Sequence, residues 1–219
     1  MIPGAVGVGI DLGTTNLKVA AFSCRDGRLL GSVTRALSTR VEADGTREQD
    51  VEGVVAALAA AFQELRGRLG APVWQAVEAV GLAAQGGSGA LVRRTDGTPL
   101  SPLYLWNDSR AASLLPEVAA RRSAAWWQEL SQRRGPGAGL ARMLWLQQQR
   151  PGCLAGDVLY AGIGEIVFHR LAGVWRQDAC NALQMGCYRV LEDRLDDVPL
   201  GLLGLSLNQV APLRRGHGT

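Results

Sequence analysis

The chain has 219 residues, 47% of them hydrophobic, which is enough for a sizeable core in one large domain or one domain with an appendage. Its formal net charge is +3, and its arginines are scattered in pairs without a basic stripe of interleaved aromatic residues, which argues against a nucleic-acid partner. No apolar run reaches the ~18 residues of a membrane span and we expect no signal peptide, so the sequence predicts a cytoplasmic protein without a membrane partner.

The cysteine and histidine positions argue against a structural zinc site. The four cysteines are widely spaced and form no C-x-x-C pair, and neither His169 nor His217 stands at ligand spacing from them. We therefore expect reduced thiols and no zinc.

The apolar pattern predicts alternating strands and helices, which is typical of an α/β domain. Three apolar segments separated by short turns, at 6–11, 17–23 and 29–37, predict a meander of strands. Apolar residues then recur at helical spacing after Asp50, the expected N-cap, until Gly70 ends the helix.

A buried strand is expected next, at residues 76–84. The remaining expected elements are strands at 90–94, 103–106 and 158–161, helices at 109–122, 124–132, 140–149 and 164–171, and a helix or strand within 177–190. Loops at 11–18, 85–89 and 106–110 follow strands and carry polar residues. Because such loops bind ligands in α/β sheets, we expect these three to share one cleft.

The first of these loops has the chemistry of a phosphate site. A carboxylate, Asp11, follows an apolar strand, and Gly13 then allows turn amides to approach anionic oxygens. Thr14 and Thr15 add hydroxyl donors, and Lys18 adds a flexible positive charge. Because Mg²⁺ prefers oxygen ligands, the pattern predicts a phosphate with its metal ion. A plain β-hairpin turn would use the same glycine and threonines.

This turn resembles the first phosphate loop of the actin-like ATPase superfamily, and no Walker loop occurs in the chain. An ordered set of motifs further resembles the N-terminal domain of the FGGY carbohydrate kinases over nearly the whole chain. The segments that carry the resemblance are Gly9–Thr15, Glu48–Asp50, Gly81–Gly86, Trp106–Arg110, Ala141–Leu146, Arg170–Gly173 and Asp178–Ala182. The resemblance implies an α/β fold of the ribonuclease H-like (actin-like ATPase) class, with a mixed sheet flanked by helices.

The resemblance also implies cofactors and binding residues. ATP and Mg²⁺ are the implied cofactors. The implied phosphate-binding residues are Gly13, Thr14, Thr15 and Lys18, with Asp11 for the metal ion. The implied sugar- or polyol-binding residues are Gln85, Gly86, Gly87, Trp106, Asp108 and Arg110.

Residue chemistry supports part of this assignment and leaves alternatives. The flat Trp106 indole suits the C–H side of a sugar, although it could equally be a core tryptophan. The Gln85 amide can donate to and accept from one hydroxyl. Asp108 and Arg110 could orient hydroxyls or form a purely structural salt bridge. Asn181 either lines the cleft wall or serves a turn.

The chain departs from the glycerol kinases of the family at three polar positions. Arginine and glutamate after the glutamine there are Gly86 and Gly87 here, and a pocket tyrosine there falls at Gly137. We therefore expect an emptier pocket, suited to a pentulose, a hexulose or a sugar alcohol more than to glycerol.

The resemblance places the family's general base, an aspartate in a glycine-rich strand, beyond Thr219, and no such segment follows Leu191 in the chain. We therefore expect no catalytic base within residues 1–219. They would be the N-terminal sugar-binding and phosphate-loop domain, truncated before that strand, with the C-terminal nucleotide-binding domain as its missing partner.

The intact enzyme would phosphorylate a sugar or polyol with ATP, and this fragment alone is expected to be inactive. A non-catalytic sugar-binding half-protein, another actin-like ATPase and a homodimer remain open.

Overall fold

The computed structural model describes residues 4–213. His217 and Thr219 therefore lie outside the described residues, and the expectation that the general base lies beyond Thr219 stays a prediction. The described residues divide into two compact units. The first comprises the residues up to Thr39 together with Gln49–Gln85, and the second comprises Arg40–Glu48 together with the residues from Gly86 onward. The predicted phosphate turn, at residues 13–15 between the first two strands, belongs to the first unit, and the loop that contains Trp106 belongs to the second.

A mixed four-stranded sheet forms the first unit. Its strands are β1 (Val6–Leu12), β2 (Asn16–Ser23), β3 (Leu29–Ala36) and β6 (Val77–Ala84). They lie in the order β3-β2-β1-β6, with the first three strands antiparallel and β6 parallel to β1. The predicted meander is confirmed, and the phosphate turn joins β1 to β2.

One face of this sheet is buried by α1 (Val51–Leu69), which packs against β2 and β3. Val54, Leu58 and Leu65 lie on the buried side of the helix, as its apolar spacing predicts. The carboxylate of Asp50 accepts a hydrogen bond from Gly53 N at 2.9 Å, which confirms Asp50 as the N-cap.

The prediction that the 76–84 strand is buried is wrong. β6 forms, but most of its residues are exposed, and Val80 is 52% exposed. The reason is its position: β6 lies at the sheet edge beside β1, whereas α1 packs against β2 and β3. A short helix that the sequence did not predict, α2 (Ala71–Gln75), precedes it. An apolar sequence indicates a strand, but burial depends on which other element covers it.

The second unit contains short strands and most of the helices. Its strands are β4 (Arg40–Val41), β5 (Arg47–Gln49, whose last residue belongs to the first unit), β7 (Ala90–Arg93), β8 (Leu103–Tyr104), β9 (Val158–Ala161), β10 (Tyr188–Arg189) and β11 (Arg194–Leu195). They form the sheets β4-β5-β8, β7-β9 and β10-β11.

The helices of this unit surround a core that includes Trp127, Leu140, Met143 and Tyr160. They are α3 (Leu115–Ala120), α4 (Ala124–Ser131), α5 (Ala138–Gln149), α6 (Ile163–Ala172), α7 (Ala179–Met185) and α8 (Val198–Gly201). None of the helices within residues 4–213 is long and apolar enough to cross a bilayer.

The helix predicted at 109–122 begins later than the sequence indicates. A 3₁₀ turn at Ala112–Leu114 leads into α3 instead. Pro116 lies in the first turn of α3, where its missing N–H is tolerated, whereas a helix beginning at residue 109 would place it in the interior and lose a hydrogen bond. The preceding residues 108–110 are held in a turn by the Asp108 carboxylate, which accepts from Arg110 N at 3.2 Å.

We expect Asp50→Ala to destabilise the first unit by about 1 kcal/mol, because the helix loses a side-chain acceptor for an orphan N–H. Asp50→Asn is the matched control and should retain most of the stability, since asparagine also caps well. Urea unfolding measures both. Equal stability of the alanine and asparagine variants would contradict a capping role.

Candidate functional site

The phosphate turn of the first unit requires glycine. Gly13 N donates to Asn16 O at 3.0 Å, and a Cβ at position 13 would lie 2.9 Å from that oxygen. Asp11 and Lys18 are direct partners across β1 and β2, and both are exposed. Because opposite residues project from the same face of a sheet, a carboxylate and an ammonium flank the base of the turn.

Two glutamines brace this turn from the protein side. Thr14 Oγ1 donates to Gln85 Oε1 at 3.0 Å, and Gln85 Nε2 donates to Gly13 O at 3.4 Å. Gln49, which is 2% exposed, donates from Nε2 to Thr14 O at 2.7 Å and to Thr39 Oγ1 at 3.0 Å. Gln49 belongs to the Glu48–Asp50 motif, but the sequence predicts no role for its side chain. The structure places it under the turn.

The residues around the turn fit a magnesium–phosphate group. Asp11 presents a hard, exposed oxygen donor, and Mg²⁺ in proteins usually takes one or two carboxylates while waters and phosphates complete its shell. Within residues 4–213, no group of three or more His, Cys, Asp or Glu residues could hold a metal alone. A cation at Asp11 would therefore be shared with the phosphate ligand.

In the second unit, Arg110 forms an ion-pair network with the carboxylates of Asp108 and Glu48. Arg110 donates from Nη2 at 2.6 Å to both Asp108 Oδ2 and Glu48 Oε1, and Arg47 N donates to Asp108 Oδ2 at 2.9 Å. Asp108 is 8% exposed. Desolvation lowers the pKa of Arg110, but its hydrogen bonds to Asp108 and Glu48 outweigh that effect and raise it. This geometry fits the structural salt bridge, and sugar contact by either residue stays a prediction.

Trp106 is a surface residue and not a core tryptophan. It is 57% exposed, and its backbone N–H donates to Ser88 Oγ at 2.9 Å, which joins the 86–89 and 105–110 loops. A cavity of about 230 Å³ lies beside it, lined also by Asn107, Ser109, Ala138 and Arg142. That volume is below the ~300–1,000 Å³ of typical drug-sized pockets, so a small ligand suits it.

Both backbone polar groups of Gly87 have side-chain partners. Its N–H donates to Asn181 Oδ1 at 3.2 Å, and its carbonyl accepts from Arg142 Nη1 at 2.6 Å. Arg142, which is 2% exposed, also donates to Leu105 O at 2.9 Å and to Tyr160 Oη at 3.1 Å. One guanidinium therefore holds both the 86–89 loop and the 105–110 loop, which contains Trp106. The sequence showed Arg142 only as part of a helix motif.

Asn181 is itself oriented by a buried carboxyl group. Glu165 accepts from Asn181 Nδ2 and, at 2.7 Å, from Gly162 N. Burial raises the pKa of Glu165 to about 8, against the lowering effect of these two hydrogen bonds. The structural alternative for Asn181 is thereby supported, because its amide links a buried acid to the Gly87 loop.

The emptier pocket expected at Gly137 is not found. A Cβ at this position would lie 2.7 Å from Gln184 O and from Gly186 N, because the end of α7 packs directly against it. Positions 86 and 87 do lack side chains, and Gln184 lies beside both: a Cβ at Gly86 would be 3.7 Å from its Cγ and one at Gly87 3.6 Å from its Cβ. Gln184 belongs to no sequence motif, so its position beside these glycines could not be predicted from the sequence.

The predicted site residues therefore form two groups. The first group lies in the first unit and comprises Asp11, Gly13, Thr14, Thr15, Lys18 and Gln85. The second group lies in the second unit and comprises Gly86, Gly87, Trp106, Asp108 and Arg110. The predicted common cleft for all three loops remains a prediction.

Comparison with solved structures defines the fold. The chain is similar to a xyloylose kinase from Brucella ovis, with a TM-score of 0.85 and 20% identity over 96% of this chain and 43% of that one. It is also similar to a gluconate kinase from Lactobacillus acidophilus, with a TM-score of 0.84 and 20% identity over 96% of this chain and 42% of that one. The fold is thus the mixed α/β fold of the actin-like ATPases, as predicted.

The family follows from sequence. Residues 6–218 match the N-terminal domain of the FGGY family of carbohydrate kinases, and the chain belongs to that family. Among curated relatives, a glycerol kinase from Brucella ovis (strain ATCC 25840 / 63/290 / NCTC 10512) is 24% identical over 203 residues, covering 90% of this chain and 40% of its own length. The chain therefore spans about two fifths of the curated relatives that it matches.

We expect the stability of the protein to fall as pH rises through the range set by Glu165. Its folded-state pKa of about 8 exceeds the ordinary 4.5, so the folded chain retains a proton that the unfolded chain releases. This contribution is fully present below pH 4.5 and is lost as pH rises through about 8.

Glu165→Gln keeps a neutral side chain at every pH and should flatten that dependence, by roughly 1–3 kcal/mol between pH 5 and 8.5. Glu129→Gln, at a glutamate with 69% of its side chain exposed, is the control. Unfolding free energies at both pH values measure the effect. Parallel pH curves for wild type and Glu165→Gln would contradict it.

Proposed function

We propose that this chain is the sugar-binding and phosphate-loop part of an ATP-dependent kinase that phosphorylates an alcohol group of a sugar or polyol. The observation that carries the proposal is the glycine turn between β1 and β2, flanked by the exposed Asp11 and Lys18 and braced by two glutamines. Membership of the carbohydrate kinase family supports it.

The turn would serve the nucleotide phosphates. Its amides and the hydroxyls of Thr14 and Thr15 would donate to phosphate oxygens, and Lys18 would offset negative charge. Asp11 would hold Mg²⁺, which when bound neutralises charge on the phosphates. Because phosphoryl transfer depends mainly on positioning and charge stabilisation, the bracing by Gln49 and Gln85 matters to rate as well as to affinity.

The second unit would hold the acceptor. The exposed Trp106 indole offers an apolar face to sugar C–H groups, and the cavity beside it suits a small ligand. Proteins similar to this chain include a glycerol kinase, a xyloylose kinase and a gluconate kinase. We favour a pentulose, a hexulose or a sugar alcohol over glycerol, because Gly86 and Gly87 lack the polar side chains that glycerol kinases carry there.

We further propose that the general base and the adenosine site lie beyond Thr219, in a C-terminal part that completes the enzyme, and that the enzyme acts in the cytoplasm. Residues 1–219 alone would then bind sugar but turn over ATP very slowly. A non-catalytic sugar-binding half-protein is the second candidate.

Calorimetric titration of the 219-residue chain with glycerol, xylitol, ribitol, sorbitol, D-xylulose, D-fructose and gluconate tests the acceptor class. We expect at least one five- or six-carbon ligand to bind more tightly than glycerol. Trp106→Ala should weaken the binding of that ligand about tenfold. Trp106→Phe keeps an aromatic face and should weaken the binding less.

Tighter binding of glycerol than of every longer ligand, or no binding at all, would contradict the proposed acceptor class. An ADP-release assay with the same ligands separates the two candidates. Slow sugar-dependent release that Asp11→Asn abolishes supports the kinase, whereas sugar binding without MgATP binding supports the non-catalytic half-protein.

A further inference from the structure

Gln184 lies beside the glycine loop that also contacts Trp106. Gly86 and Gly87 have no side chains, and the residue that lies against both of them is Gln184, on α7. A Cβ at Gly87 would be 3.6 Å from Gln184 Cβ and 3.5 Å from Trp106 Cβ. The exposed indole and the carboxamide therefore arise on either side of one bare glycine loop.

The backbone that carries Gln184 is firmly held. Gly137 and Gly139 approach the end of α7 so closely that a Cβ on either would lie within 2.7 Å of its backbone. Gly186 ends the helix with a φ of +94°, a conformation that favours glycine. Asn181, one turn earlier on the same helix, receives the Gly87 N–H at 3.2 Å. These contacts therefore fix the position of Gln184 relative to the 86–89 loop.

The carboxamide of Gln184 is suited to a hydroxyl ligand. The residue is partly exposed, and within residues 4–213 its side chain makes one long hydrogen bond, which Arg133 Nη1 donates to Oε1 at 3.4 Å. Its Nε2 has no hydrogen-bond partner among the described residues. A primary amide can donate to one oxygen and accept from the same hydroxyl, which a sugar or polyol supplies.

We propose that Gln184 is a specificity-determining residue of the acceptor site, and that its carboxamide binds one hydroxyl of a polyol chain lying against Trp106. This inference rests on the proposed function. It assigns to α7 the hydrogen-bonding role that Gly86 and Gly87 cannot perform. A single hydroxyl contact would make the site sensitive to configuration at one carbon, because the inverted hydroxyl leaves the amide without its partner.

The test is a titration of wild type, Gln184→Leu and Gln184→Ala with epimeric pairs, D-xylulose with D-ribulose and xylitol with ribitol. Gln184→Leu keeps the packing volume and removes the hydrogen bonds. Gln128→Ala, at an exposed glutamine on α4, is the matched control and should bind as wild type.

We expect Gln184→Leu to bind the preferred epimer about tenfold more weakly than wild type does. The dissociation constants of the two epimers should then lie within about twofold of each other. A purely structural role would weaken both epimers equally. If Gln184→Leu binds both epimers as tightly as the wild-type protein does, with the same ratio of affinities, this inference is overturned and the proposed function still stands. Failure of wild type to bind any of these ligands would overturn both.

Discussion

The buried guanidinium of Arg142 fixes the geometry of the two loops that meet at Trp106. It donates to Gly87 O, Leu105 O and Tyr160 Oη, so one side chain on α5 joins two loops and a core strand. All three acceptors are uncharged. Because burying a cation without a carboxylate is costly, these hydrogen bonds must be well formed for the unit to fold as it does. The loops around Trp106 therefore inherit the rigidity of the core.

Two buried side chains extend this order to α7. Glu165 orients Asn181, and Asn181 accepts from the Gly87 N–H, so both backbone polar groups of Gly87 have side-chain partners. Gly137 and Gly139 let α7 approach closely enough for this contact. The phosphate turn of the first unit follows the same principle, since Gln49 and Gln85 hold its backbone and hydroxyl from beneath. In both units, exposed residues of the candidate site rest on polar side chains that are themselves hydrogen-bonded.

The parts of the fold that are determined locally could be predicted from the sequence. The meander, the Asp50 cap and α1 follow from alternation, capping chemistry and helical spacing, which are properties of neighbouring residues. The exposure of β6 could not be predicted, because it depends on α1 covering β2 and β3. The start of α3 depended on Pro116 and on the Asp108 turn, which competed with helix formation.

The site was predictable only where a motif marks it. The glycine turn and Trp106 stand out by composition, but Arg142, Glu165 and Gln184 act through partners more than 15 residues away in sequence. A pattern of residues cannot show that Gly137 packs against α7, so its lack of a side chain was interpreted as empty space.

Amide hydrogen exchange in Arg142→Lys tests most directly whether Arg142 holds the 86–89 and 105–110 loops together. A lysine ammonium cannot reproduce the planar fork that reaches several carbonyls. We predict that the Gly87 and Trp106 amides lose at least about tenfold of their protection, while amides of β7 and β9 keep theirs. Unchanged protection at Gly87 and Trp106 would contradict this role of Arg142.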